Sequence, residues 1–236
     1  MRSGLRLAGW AAVVLLVAGT GCQATLAAGV DVRPDGSGTV GAGLGLDAAA
    51  LREVGDLAAV LRVDDLRQAG WEVEGPKPED DGLTWVRASK SFADPPEAER
   101  AMAQLSGPDG PFRDFRLTRA GSLLRIRTGF TGTVDLTRGL AGLVDPDLLE
   151  RLGGDPGLDA LTSALRVEVA ADLPGKIRSN APTTAGGRAV WTPEMGSQLT
   201  LQADADLRRL APIVYGTLAV AGAVAALAVV VVRRRR

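Results

Sequence analysis

Two runs near the start of the chain, Ala24–Val32 and Gly38–Leu46, carry apolar residues with the period of strands. In the first, Ala24, Leu26, Ala28, Val30 and Val32 alternate with Thr25, Ala27, Gly29 and Asp31. That is the pattern of a strand buried on one face. Pro34, Asp35 and Gly36 between the runs predict a hairpin turn. Asp47 then caps a helix, with Leu51, Val54, Leu57 or Ala58, and Leu61 at helical spacing, a pattern that Gly55 weakens, so that one helix or two pieces are expected. Residues 64–69 predict a further short helix closed by Gly70.

Residues 71–74 are a strand candidate, and the polar stretch 75–82 predicts a turn or loop. Residues 83–92 form a clear strand, with Leu83, Trp85 and Arg87 on one side and Thr84, Val86 and Ala88 on the other. Asp94-Pro95-Pro96-Glu97 predicts a helix start: Asp caps, Pro suits the first turn, and Glu closes a capping box. Ala98, Ala101, Met102 and Leu105 make that helix's apolar face. Residues 115–118 and 122–134 predict a second hairpin turning at Ala120-Gly121, with Gly129 and Gly132 marking a bulge. Residues 136–152 are expected to be helical in part. Strands are expected over 164–173, 189–192 and 196–203, with a loop over 179–187. The expected fold class is α+β, an antiparallel-rich sheet with two or three helices in one exported domain.

The two ends differ from this middle. Residues 210–232 hold no charge and only Tyr215 and Thr217 as polar groups. As a helix this stretch reaches about 34 Å, enough to cross a hydrocarbon core of about 30 Å. The arginines at 233–236 are expected to stay cytoplasmic. At the other end, residues 1–21 have a basic start with Arg2 and Arg6, an apolar stretch, and small residues before Cys22. This is the layout of a signal peptide. Cys22 is a candidate for diacylation as a lipoprotein; the alternative is an ordinary signal that leaves it unmodified. The expected organisation is therefore signal peptide 1–21, extracytoplasmic domain 22–209, transmembrane helix 210–232 and cytoplasmic tail 233–236. The protein is expected in the cell membrane, single-pass, held to one leaflet at both ends if Cys22 is acylated.

Composition narrows the chemistry. The chain has one Cys and no His. An internal disulfide is excluded, as are zinc sites of Cys and His and Ser-His-Asp catalysis. The formal charge of −1 conceals an asymmetry: 6 of the 27 basic residues lie in the terminal segments, and all 28 acidic residues lie between them. This acidic balance argues against nucleic acid and against a basic patch for anionic lipid headgroups. Asp64-Asp65 and Glu79-Asp80-Asp81 lack the loop pattern of a calcium site and are expected to be solvated surface. Leu173-Pro174-Gly175-Lys176 lacks the Thr of a sortase signal and is expected to be a strand-ending turn. Trp71, Trp85 and Trp191 are candidates to line a lipid pocket, with ordinary core packing as the competing reading. No catalytic residues, metal ligands or cofactor are expected.

The order of these motifs resembles a family. Cys22 is followed by the turn around Asp35-Gly36-Ser37-Gly38, then Ala69-Gly70-Trp71, Lys90-Ser91-Phe92, Gly110-Pro111-Phe112, Leu173-Pro174-Gly175-Lys176, Trp191 and the apolar span with its basic tail. Over residues 22–209 this resembles the LppM-domain lipoproteins of actinobacteria. The resemblance implies an exported, membrane-attached α+β domain and, for some members, binding of envelope lipids or glycolipids. The expected function is thus a non-catalytic lipid or glycolipid binding domain. A protein-interaction or assembly module beside other envelope proteins is the alternative.

Overall fold

The structure is a computed structural model, and it describes residues 23–54, 63–106, 110–122, 124–138 and 165–208. The expected signal peptide, Cys22 and the expected membrane span lie outside the described residues, as does nearly all of 136–152. Among the described residues no helix is long and apolar enough to cross a membrane.

Strands β1 (Ala24–Val32) and β2 (Gly38–Leu46) pair in full antiparallel register, as their alternation predicts. The turn between them is held by Asp35, which accepts from the Ser37 amide and hydroxyl. Helix α1 (Ala48–Val54) starts where expected, with Asp47 Oδ1 accepting from the amides of Ala49 and Ala50. Helix α2 (Val63–Gln68) ends at Gly70, whose φ of +82° suits a residue without Cβ. Strands β3 (Glu72–Pro78) and β4 (Thr84–Phe92) follow. Helix α3 (Pro95–Ser106) opens as predicted: Asp94 Oδ1 accepts from the Glu97 amide and Glu97 Oε2 from the Ala93 amide. Then come β5 (Phe112–Gly121), β6 (Arg125–Asp135), β7 (Leu165–Asp172), β8 (Lys176–Ser179), β9 (Thr183–Ala185), β10 (Arg188–Trp191) and β11 (Gln198–Arg208).

These strands form two sheets. The larger runs β3-β4-β2-β1-β7-β10-β9, and the smaller β5-β6-β11-β8. Every pairing is antiparallel except β1 with β7. The fold is sheet-rich α+β with three helices among the described residues. The smaller sheet and α3 cover one face of the larger sheet. Val30, Val40, Phe92, Val167, Val169 and Trp191 from one side meet Met102, Leu117, Phe130, Val134 and Leu201 from the other. A second cluster, with Ala24, Leu46, Ala50, Val63 and Val86, seals the far end of the same face.

Several local expectations are corrected. Stretch 75–82 is not wholly a loop, because β3 continues to Pro78 after a register shift between Glu74 and Lys77. Stretch 179–187 includes the end of β8 and all of β9. The second hairpin turns after Gly121, and its irregularity lies in β5 between Arg113 and Arg116. Gly129 sits in regular register, whereas Gly132 does mark the irregularity: Asp114 and Phe115 of β5 both lie opposite it. Gly132 also serves close approach at this bulge: a Cβ there would stand 2.2 Å from the Phe115 ring. The last strand outruns the predicted 203 and ends at Arg208.

The chain enters and leaves this sandwich at opposite ends. Gln23 is clipped beside Asp47, with amide–carboxylate and amide–carbonyl bonds of 2.8 and 3.0 Å. Nine residues later β1 ends near Pro34, in a depression shared with Asp172–Gly175 and Leu207. At strand rise, the two ends are about 30 Å apart.

Candidate functional site

The face of the larger sheet that no other described element covers carries the candidate site. Odd-numbered residues of β1 and β2 point there, as do Arg87 and Ser89 of β4, Glu168, Ala170 and Asp172 of β7, and Arg188 of β10. Three central strands present small residues: Gly41 and Gly43 from β2, Ala27 and Gly29 from β1, and Ala170 from β7. The result is an open groove of about 460 Å³ with a floor close to the backbone. Four strand spacings separate β4 from β10, so the groove is about 19 Å across.

Each rim is a neutralised arginine. Arg87 Nε and Nη2 donate to the two Glu79 oxygens at 3.0 and 2.8 Å. Those hydrogen bonds raise the Arg87 pKa further and lower that of Glu79. The guanidinium also lies over Trp85, with Cζ 4.0 Å from the ring centroid. On the opposite rim, Arg188 Nη1 donates to Asp172 Oδ2 at 2.7 Å. Thr39, Ser89, Asp31 and Glu168 add hydroxyl and carboxylate groups around the floor. The surface thus offers hydrogen-bonding groups above a shallow floor. It holds no convergent pair of buried carboxylates, and no group of three His, Cys, Asp or Glu placed to hold a metal exists among the described residues.

The three tryptophans do not share a site. Trp191 is fully buried between the sheets, 6.1 Å from Phe130 by ring centroids, and donates Nε1–H to Asn180 Oδ1 at 2.8 Å. Trp71 is buried in the same core, with Lys90 Nζ 5.8 Å from its centroid. Trp85 alone stands beside the groove. Its indole lies flat over β2, so that a Cβ at Gly45 would stand 2.6 Å from the ring. Its Nε1–H donates to Asp81 Oδ2 at 2.9 Å, and Asp81 also accepts from the Leu83 amide. Those bonds hold the Asp81 carboxyl below the usual carboxylate range. Glu79 and Asp81 therefore serve to brace Arg87 and Trp85. Asp64 is exposed and pairs with Arg67 at 3.4 Å. Leu173–Gly175 make the β7–β8 turn, with Gly175 at φ +107°.

Sequence reasoning missed the groove because its residues come from five strands. One signal was present: Gly41, Gly43 and Gly45 alternate at the strand period and therefore share a face.

The chain matches no protein-family model and no curated protein. Among solved structures it is similar to the NMR structure of the folded domain of Mycobacterium tuberculosis LppM, at 16% identity and a TM-score of 0.42. That alignment covers 80% of this chain and 92% of the other.

Proposed function

We propose that this is a membrane-anchored, extracytoplasmic envelope protein that binds, without catalysis, the headgroup of an envelope lipid or glycolipid. The observation that carries the reading is the open groove, with its Gly and Ala floor between two braced arginines. A floor without side chains lets a sugar ring or polyol lie close to the backbone. Ser, Thr, Asp and Glu around it supply donors and acceptors for hydroxyls, and charged partners strengthen such bonds. The apolar stretches at 1–21 and 210–232 support the address.

Gly41 supplies the test. A Cβ there meets only the Ala88 carbonyl oxygen, at 3.7 Å, so a larger residue is accommodated while filling the floor. The full-length protein is purified in lipid nanodiscs made from envelope extract, and co-purifying lipids are identified by mass spectrometry. A lipid enriched over the bulk extract with wild type, and returned to the bulk level in Gly41→Leu, is expected. No enrichment with wild type, alongside a stoichiometric protein partner, would favour an assembly module instead.

A further inference from the structure

The acidic balance of the domain does not describe its surface at the end where β11 stops. On the outer face of the smaller sheet, five cationic side chains gather there around two carboxylates. The registers place Arg127 and Lys176 on either side of Asp206, Arg178 opposite Asp204, and Arg208 opposite Arg125. Asp206 takes up most of the pairing. It accepts from Arg125 Nε and Nη2 at 2.6 and 2.7 Å and lies 3.5 Å from Arg127 Nε. Lys176, Arg178 and Arg208 make no close ion pair with a described residue, although the Arg178 charge helps to hold the Asp206 carboxyl low. Like charges directly opposite each other oppose pairing of their strands, and Arg125 with Arg208 is such a pair. The adjacent β5–β6 turn carries Leu124, 49% exposed and the sole exposed large hydrophobic among the described residues. Arg208 is followed by Arg209 and then directly by the uncharged stretch 210–232.

We propose that this end of the smaller sheet, with Arg125, Arg127, Lys176, Arg178, Arg208 and Leu124, docks on the anionic headgroups of the bilayer that residues 210–232 enter. The inference rests on the membrane anchoring proposed above, but not on the groove. Two residues of extended chain span about 7 Å, so the cluster starts within a Debye length of the headgroups at physiological salt. Basic side chains at that distance are drawn to an anionic surface, and one exposed Leu adds apolar contact at the interface. The excess of cations over carboxylates, with three of them in no close ion pair among the described residues, selects lipid of net negative charge over a neutral surface.

The test uses full-length protein carrying Cys22→Ser and Ala120→Cys, so that a dye sits on the single thiol beside the cluster. It is reconstituted in nanodiscs of phosphatidylcholine, or of phosphatidylcholine with phosphatidylglycerol, each with a headgroup-attached quencher. Co-elution with the discs reads anchoring, and quenching reads docking. Quenching at least roughly twofold stronger in the anionic discs is expected. It should be lost in high salt and in the triple variant Lys176→Glu, Arg178→Glu, Arg208→Glu. Equal quenching in both discs, with co-elution intact, overturns docking and leaves anchoring standing. Failure to co-elute with either disc overturns both. If the triple variant unfolds, the salt series on the parent decides: salt-independent quenching overturns the proposal.

Discussion

Arg87 lies on the Trp85 indole, and the two are braced by carboxylates two residues apart, Glu79 for the guanidinium and Asp81 for the indole N–H. The rim of the groove is thus a small assembly of four side chains across the β3–β4 hairpin. Arg87→Lys keeps the charge but loses the fork that matches Glu79. At this partly exposed site the stability cost is expected to stay below about 1 kcal/mol. Trp85→Ala removes the wall itself and should cost about 3 kcal/mol. Urea unfolding of both variants checks the order; equal costs would mean that the indole contributes little to the rim.

Asn180 braces another tryptophan, Trp191. Its Oδ1 accepts from Trp191 Nε1 and from the Gln202 amide, while its Nδ2 donates to the Thr200 carbonyl. It thereby ties the buried indole between the sheets to β11. Asn180→Ala leaves a buried N–H without a partner and is expected to cost about 1–3 kcal/mol. Trp191→Phe in the same background should recover part of that loss, since the orphaned donor goes with the indole. A double-mutant cycle measures it, and strict additivity would refute the coupling.

Thr128 is 1% exposed, and its hydroxyl has no partner among the described residues. Thr128→Val keeps the shape and removes the unsatisfied group. A gain of about 1 kcal/mol is expected, or roughly 3 °C in Tm. Differential scanning calorimetry is the check, and a lowered Tm would show that the hydroxyl is satisfied in solution.

The pH dependence follows from the missing histidines. Nothing in the chain's side-chain set ordinarily titrates between about pH 5 and 8, so stability should be flat there. Asp47 is held below its ordinary value of 3.8 chiefly by the Ala50 amide, and Asp206 chiefly by Arg125. A depressed folded pKa gives stability that is complete above the unfolded value and is lost as pH falls through the folded one. Unfolding free energy should therefore decline only below about pH 4. Asp47→Asn, which keeps a capping oxygen, should flatten part of that decline. A midpoint shift between pH 5 and 8 would contradict the assignment.

Local chemistry made much of this fold legible. The alternation in β1, the cap at Asp47 and the start of α3 at Asp94 are each written within a few residues. Trp191 and Trp71 in the core match the packing reading. Long-range pairing was not legible. Nothing near Leu165 announces that β7 lies parallel to β1, because that choice depends on a partner more than a hundred residues away. β9 is exposed along its whole length and has no alternation to read. The β11 terminus was missed because Asp204, Asp206 and Arg208 look like a polar loop until β6 and β8 are placed beside them. The same blindness hid the basic cluster, since net charge averages over both faces and both ends.

The separation of Gln23 from Leu207 bears on posture. Gln23 is fastened to Asp47, at the end of the domain far from where β11 stops. If the 210–232 stretch alone enters the bilayer, as proposed, the domain would be free to stand upright with β1 pointing at the surface. An acyl chain on Cys22 entering the same leaflet would pull the far end down and lay the strands along the membrane. If the basic sheet then rests on the headgroups, the groove on the opposite side of the sandwich turns outward. A single lipid modification would in this way set which direction the groove looks.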